Sequence, residues 1–240
     1  MPEVLWSPPA DVRERSRIGT YLDRLAAEDG TRFDDYDALW RWSTGDPDAF
    51  WRSIWAFFEV SPTTPAVGLA DARMPGTVWF PQAAVNYAEV ALRLRDRAPD
   101  DVIVLGRSQT RPPLDLTVAE LREQVARCRA GLQALGVGRG DRVAAFLPNV
   151  PEAVVALLAT ASLGAIWTSC APEFGTRAVI DRFGQVEPAV LLAVDGYRYG
   201  DKAIDRTAEL AEIRAALPSL RATVLLPYLD PDAGAPAGGL

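Results

Sequence analysis

The stretch from Gly131 to Phe174, GLQALGVGRGDRVAAFLPNVPEAVVALLATASLGAIWTSCAPEF, constrains the fold more than any other part of the chain. It reads as a helix end, a strand, a second helix and a second strand. The first helix ends at Leu135, with Gly136 as its left-handed cap. Gly138-Arg139-Gly140-Asp141 then turns the chain. Val143 to Leu147 is apolar without alternation, the pattern of a strand covered on both faces. Pro148 stops it. Pro151 opens the next helix, and Glu152 suits the positive N-terminus of that helix. The helix reaches about Leu163 and stops at Gly164, and Ala165 to Ser169 reads as the next strand.

Two other readings of this stretch fail on order and composition. A dinucleotide-binding fingerprint places a strand before its glycines and a helix after them, so that the helix N-terminus meets the pyrophosphate. Around Gly136, Gly138 and Gly140 the order is reversed, so a capping turn is expected. No charge falls between Glu152 and Glu173, close to the ~20 residues of a membrane span. That run is rich in Ala, Ser and Thr, is broken by Gly164 and has no basic flank. A buried helix followed by a buried strand accounts for it better.

The alternation continues downstream. Ala178 to Val186 reads as a helix with Val179, Phe183 and Val186 inward, ended by Pro188. Val190 to Val194 is a purely aliphatic strand, and Asp195-Gly196 turns the chain. Arg198, Lys202 and Arg206 are the basic residues of the next connection, Ile204 to Leu217 a helix, and Thr223 to Leu226 a strand. The residues after it are rich in Pro, Gly and Ala and read as a loop rather than a finished C-terminus. Four helix–strand steps in series predict an α/β fold, a parallel sheet flanked by helices. Ligands of such sheets bind beyond the C-terminal strand ends. The loops there are Pro148–Pro151, Ser169–Gly175, Asp195–Lys202 and Pro227 onward.

Upstream, residues 1–80 read as a helical, aromatic-rich segment packing on a main body formed by residues 81–240. Ile18, Leu22 and Leu25 mark a helix from Val12 to Glu28. Tyr36 to Trp42 is a second, closed by Gly45-Asp46-Pro47. Asp46 caps a third, with Phe50, Trp51, Ile54, Trp55 and Phe58 as an aromatic stripe suited to packing. Residues 61–80 read as a surface connection. Trp79-Phe80-Pro81 is extended and Asn86 to Arg95 helical. Val102 to Leu105 and Leu114 to Leu116 are short strands around a polar turn from Arg107 to Pro113. Thr117 and Glu120 form a capping box for a helix whose apolar face is Val118, Leu121, Val125, Cys128, Leu132 and Leu135.

Composition removes several function classes. A net charge of −7 argues against a nucleic-acid surface. With no histidine, neither a Ser-His-Asp nor a Cys-His mechanism can run on this chain alone. Cys128 and Cys170, the only cysteines, lack the spacing of a zinc site. Cys128 falls on an apolar helix face. Cys170 follows a strand near the ligand edge, but a thiol nucleophile needs a base partner. No apolar signal region opens the chain, so the expected location is cytoplasmic.

WFPQAAVNYAEVALR and GVGRGDRVAAFLPNVPEAVVALLATASLGAIWTSCAPEFGTRAVIDRFGQVEP resemble the N-terminal part of acyl-CoA synthetases in the adenylate-forming superfamily. Within that superfamily, WSTGDPDAFWRSIWAFF, SCAPEFG, DRFGQVEP and DGYRYGDK are similar to the acetoacetyl-CoA synthetase family, over nearly the whole chain. The resemblance implies a two-step ligase. A carboxylate attacks the α-phosphorus of ATP to give an acyl-adenylate and pyrophosphate, and the thiol of coenzyme A then displaces AMP. Magnesium is implied through ATP. The family's Ser/Thr/Gly-rich phosphate loop, its adenine motifs and the lysine of its small C-terminal domain have no match here. The chain is therefore expected to be about an N-terminal third of such an enzyme, to hold no catalytic residue, and to be inactive without the remainder.

One binding feature is implied within it. Related synthetases hold the 3′-phosphate end of coenzyme A with arginines in a loop resembling Asp195 to Lys202. Arg198 matches the first arginine, Asp201 stands where the second would be, and Lys202 follows. The backbone of Ala171, Pro172 and Glu173 resembles the neighbouring segment of that site. Substrate choice between acetoacetate and acetate or propionate stays open, because it rests on family likeness. A non-catalytic coenzyme A-binding or interaction module is a further alternative. Such a module would be soluble as a monomer, whereas a fragment would expose sheet edges and aggregate.

Overall fold

The computed structural model describes residues 5–28 and 30–234; the final residues of the expected C-terminal loop, 235–240, lie outside the described residues. The chain divides into two compact units, Met1–Val85 and Asn86–Leu240.

The first unit holds helices α1 (Val12–Arg15), α2 (Arg17–Glu28), α3 (Tyr36–Gly45) and α4 (Pro47–Phe57), then an antiparallel ribbon of β1 (Leu69–Asp71) and β2 (Val78–Trp79). The single helix expected over 12–28 is broken at Ser16, whose backbone is extended. Its hydroxyl accepts the Gly19 N–H at 3.1 Å and so caps α2, the competition with helix bonding that serine offers. Asp35 and Asp46 cap α3 and α4 through the N–H groups of Ala38 and Ala49. Tyr21, Leu25 and Leu39 form the small core, with Phe33, Trp42, Ile54 and Phe57 against it. The aromatic stripe of α4 is used within this unit: Trp55 stacks on Phe80 at 4.4 Å and Trp51 meets Trp79 at 6.2 Å. Residues 61–80, read as a plain connection, carry the β1–β2 ribbon, and the Asp48 carboxylate anchors it by accepting the N–H groups of Gly68 and Leu69, each at 2.7 Å.

The second unit begins with α5 (Tyr87–Ala91), shorter than the sequence reading because Leu94 adopts a positive φ. An antiparallel pair follows, β3 (Val102–Gly106) and β4 (Leu114–Thr117). Next come α6 (Val118–Ala134), β5 (Arg142–Phe146), α7 (Pro151–Ser162), β6 (Ile166–Cys170), α8 (Thr176–Gly184) and β7 (Val190–Val194). The chain ends with β8 (Gly196–Tyr199), β9 (Lys202–Asp205), α9 (Thr207–Ala216) and β10 (Ala222–Leu226). The Thr117–Glu120 capping box opens α6. Gly136, at φ +78°, closes it as the positive-φ cap.

The expected parallel sheet is present, in the order β10-β7-β5-β6. Its two faces are separated by the period-two alternation of strand side chains. Val143 and Ala145 of β5, with Val190, Leu192 and Val194 of β7, join Val155, Leu158 and Ala159 of α7 and Leu121 and Val125 of α6 in one core. Ala144, Phe146, Leu191 and Ala193 join Val179 and Phe183 of α8 and Leu210 and Ile213 of α9 in the other. From β5 the chain steps outward to β6, then crosses to β7 on the other side of β5 and outward again to β10. The reversal lies between β5 and β7, which puts a crevice beyond their C-terminal ends. The Gly138–Asp141 turn, tied by the Gly138 N–H to the Asp141 carboxylate at 2.9 Å, enters β5 at the opposite end, away from that crevice.

Two further stretches differ from the sequence reading. Asp195 to Arg206 is no plain connection: Gly196–Tyr199 and Lys202–Asp205 pair as an antiparallel ribbon. Helix α9 accordingly starts at Thr207 rather than Ile204. Alternating Tyr197 and Tyr199 are the strand signal, masked by the charged Arg198 between them and the glycines Gly196 and Gly200 on either side.

Candidate functional site

The loops at the C-terminal edge of the sheet converge through a set of polar contacts. Asp195, directly after β7, is buried, with 3% exposure. Its carboxylate accepts the backbone N–H of Tyr228 at 2.7 Å, of Leu229 at 2.9 Å and of Asp230 at 2.7 Å. The loop after β10 is thereby fastened to the end of β7. The Tyr228 hydroxyl lies 2.5 Å from Ser108 Oγ in the β3–β4 loop, and the Arg111 guanidinium stands over the Tyr228 ring at 4.9 Å. Arg111 also pairs with Glu152 in the first turn of α7. Thr110 Oγ1 accepts the Arg198 N–H at 3.0 Å, and Gln109 Oε1 accepts the Gly200 N–H at 3.2 Å.

The expected binding residues lie along this edge. Arg198 is exposed on β8 and Lys202 is exposed at the start of β9. The pairing register sets Arg198 opposite Ala203 and Tyr199 opposite Lys202. Arg198 and Lys202 therefore project from opposite faces of the ribbon. Neither forms an ion pair among the described residues. Ala171, Pro172 and Glu173 form the turn after β6, closed by the Phe174 N–H on the Ala171 carbonyl at 3.1 Å. They sit at the same sheet edge, with β5 between β6 and β7. Pro172 is buried and Glu173 exposed.

The two cysteines are packing residues. Cys170 is buried in the α8–α9 core. Cys128 packs against the other core, and burial raises its thiol pKa. Among the described residues no group of three or more carboxylates and thiols is placed to hold a metal ion. No described helix is long and apolar enough to cross a membrane.

Sequence reasoning missed Asp195 as an organising residue, and it read the β3–β4 loop only as a polar turn, without its contacts to this edge. For Asp195 the available signal was one acid ending a strand of five aliphatic residues. For the loop, Ser108-Gln109-Thr110-Arg111 is a run of four hydrogen-bonding side chains. Nothing in the linear chain says that it meets residues 198 and 228.

A family model described as AMP-binding enzyme matches residues 93–238, and one described as acetyl-coenzyme A synthetase N-terminus matches residues 36–91. An acetoacetyl-coenzyme A synthetase of Rhizobium meliloti (strain 1021) is 41% identical over 226 residues, covering 93% of this chain and 34% of the relative. An acetoacetyl-CoA synthetase of Macaca fascicularis is 34% identical over 238 residues, covering 95% and 34%. Among solved structures, an acetoacetyl-CoA synthetase from Streptomyces lividans superposes with a TM-score of 0.92 at 49% identity, covering 100% of this chain and 37% of that one. The chain thus spans about a third of the length of the relatives it matches. With a parallel sheet whose strand order reverses beside β5, and a family match over residues 93–238 that takes in every strand of that sheet, the chain belongs to the AMP-binding enzyme family.

Proposed function

We propose that this chain forms part of an ATP-dependent acid–thiol ligase that joins acetoacetate to coenzyme A. ATP and acetoacetate give acetoacetyl-adenylate and pyrophosphate. The thiol of coenzyme A then attacks the acyl carbon and AMP leaves. The observation that carries the reading is the likeness to acetoacetyl-CoA synthetases along the full chain, at 49% identity for the Streptomyces lividans structure. The match to an acetyl-coenzyme A synthetase N-terminal model favours a second reading, a ligase for acetate or propionate.

Within the chain, the candidate role is the second half-reaction. Arg198 offers an unpaired guanidinium fork, the geometry that suits a phosphate. Lys202, on the other face of the ribbon, supplies a flexible second charge. The backbone of Ala171, Pro172 and Glu173 lines the neighbouring part of the edge. Together they are proposed to hold the 3′-phosphate end of coenzyme A. Magnesium accompanies ATP in this chemistry, and no residue here is assigned to it. No catalytic residue is assigned within the chain, and turnover is expected only with the remainder of the ligase.

The coding frame beyond Leu240 is the first test. An open frame encoding a Ser/Thr/Gly-rich loop with lysine and a small lysine-bearing domain supports the ligase. A stop codon leaves the fold but removes the catalytic reading. The full-length ligase is then assayed on acetoacetate, acetate and propionate, and the highest kcat/KM decides between the two readings. Arg198→Glu is expected to raise KM for coenzyme A while sparing acetoacetate-dependent pyrophosphate exchange. Equal loss of both activities would reject the coenzyme A role.

A further inference from the structure

The β8–β9 ribbon is bonded to no strand of the main sheet. A two-stranded ribbon has little stability of its own, so other contacts must set where Arg198 stands. The inner face is held by Tyr197 and Ile204, which belong to the core beneath α6 and α7. The free edge of β8 is held by two side chains of the β3–β4 loop, Thr110 on the Arg198 N–H and Gln109 on the Gly200 N–H. That loop is itself fastened. Ser108 Oγ accepts the Thr110 N–H at 2.9 Å and meets the Tyr228 hydroxyl, and Arg111 joins Glu152 and the Tyr228 ring. Asp195 holds the Tyr228 loop and directly precedes β8. The contacts close a ring: Asp195, Tyr228, Ser108, Thr110, Arg198 and back along the chain to Asp195.

We infer that Thr110 and Gln109 are positioning residues that aim the Arg198 ribbon at the phosphate of its ligand, and that the β3–β4 loop thereby tunes affinity for coenzyme A. The inference rests on the coenzyme A reading of Arg198. A hydroxyl and a carboxamide oxygen are spent on N–H groups of an exposed strand edge that water would otherwise satisfy. What they add over water is a fixed direction for β8. The ribbon turns at Gly200-Asp201, so both anchors lie within two residues of Arg198 and of the tip.

The test uses the full-length ligase and compares coenzyme A with dephospho-coenzyme A, which lacks the 3′-phosphate. Thr110→Val keeps the shape and removes the acceptor. Thr110→Ser keeps the acceptor. Gln109→Ala changes one exposed side chain and leaves folding aside. Thr110→Val is expected to raise KM for coenzyme A about fivefold, the worth of one lost hydrogen bond. It should leave KM for dephospho-coenzyme A and the rate of pyrophosphate exchange within about twofold, a margin well below that bond. Gln109→Ala is expected to act in the same direction, and Thr110→Ser to restore the wild-type preference. A purely structural role would depress all three activities together and overturn the inference. Arg198→Ala separates the two levels. If it abolishes the preference for the 3′-phosphate while Thr110→Val and Gln109→Ala keep it, positioning is wrong and the coenzyme A reading stands. If Arg198→Ala keeps the preference, both fall.

Discussion

The Asp195 carboxylate accepts the backbone N–H of Tyr228 at 2.7 Å, across 33 residues of chain. The same carboxylate also takes the N–H groups of Leu229 and Asp230. One buried side chain therefore joins the ends of two adjacent parallel strands. Asp195→Ala leaves these backbone donors without a partner and is expected to cost about 3 kcal/mol. Asp195→Asn, which keeps one acceptor oxygen and turns an NH₂ toward the third N–H, should cost less. Urea unfolding of the two variants beside wild type measures the difference; equal stability of all three would show that water replaces the carboxylate.

Gly196 follows Asp195 where two backbones cross closely. A Cβ there would lie 2.4 Å from the Ile204 carbonyl oxygen and 2.7 Å from Leu229 Cδ2. The obstacle is backbone, so Gly196→Ala must shift the β8–β9 pairing. It is expected to destabilise by about 2 kcal/mol. Gly184→Ala, with open space around the new methyl at the end of α8, is the control and should change stability by less than about 1 kcal/mol. A comparison of melting temperatures checks both, and a neutral Gly196→Ala would mean that the ribbon tolerates displacement.

Phe183 of α8 is completely buried against Phe146 and Leu191. Truncation to alanine removes a ring from a core that cannot collapse around the gap. A loss of about 4 kcal/mol is expected for Phe183→Ala and well under half of that for Phe183→Leu. Denaturant midpoints give the ordering, and a small effect of the alanine change would place the helix less firmly on the sheet.

The pH dependence follows from which groups are held by hydrogen bonds. The Thr117 backbone N–H, then its hydroxyl, hold the Glu120 carboxyl below its ordinary value. Asp48 is held below by the Leu69 N–H, Asp141 by the Gly138 N–H and Asp205 by the Thr207 hydroxyl. Groups lowered in the folded state add stability that is complete above the ordinary carboxylate range. That stability is lost as pH falls through the lowered values. Burial of the Cys128 thiol acts in the opposite sense, favouring the folded state below its ordinary pKa of 9.0 and losing that contribution as pH rises through the raised value. No histidine titrates between. Melting temperature is expected to be flat from about pH 6 to 8 and to fall below about pH 4. A step near pH 6.5 would contradict this account.

Much of the fold follows from local chemistry alone. Val190 to Val194 has no polar residue to expose, so it must be a strand covered on both faces. Gly136 and the Thr117–Glu120 box set the ends of α6 by backbone freedom and a reciprocal hydrogen bond, both of which act within a few residues. The glycine-rich turn at Gly138 was legible as a turn from a helix into a strand because element order is itself a property of the linear chain. The sequence also located the loops that follow the C-terminal ends of the strands.

What it could not supply was the pairing of segments distant in the chain. The register of β8 against β9 sets Arg198 and Lys202 on opposite faces, although their spacing alone looks like one basic cluster. Thr110 meets Arg198 across 88 residues, and Ser108 meets Tyr228 across 120. A side chain's local propensities carry no information about such a partner. The crossing of the chain from β6 to β7 brings these loops to one edge. Strand order is decided by which helix faces are buried together, α6 with α7 and α8 with α9, and that is a property of the packed molecule.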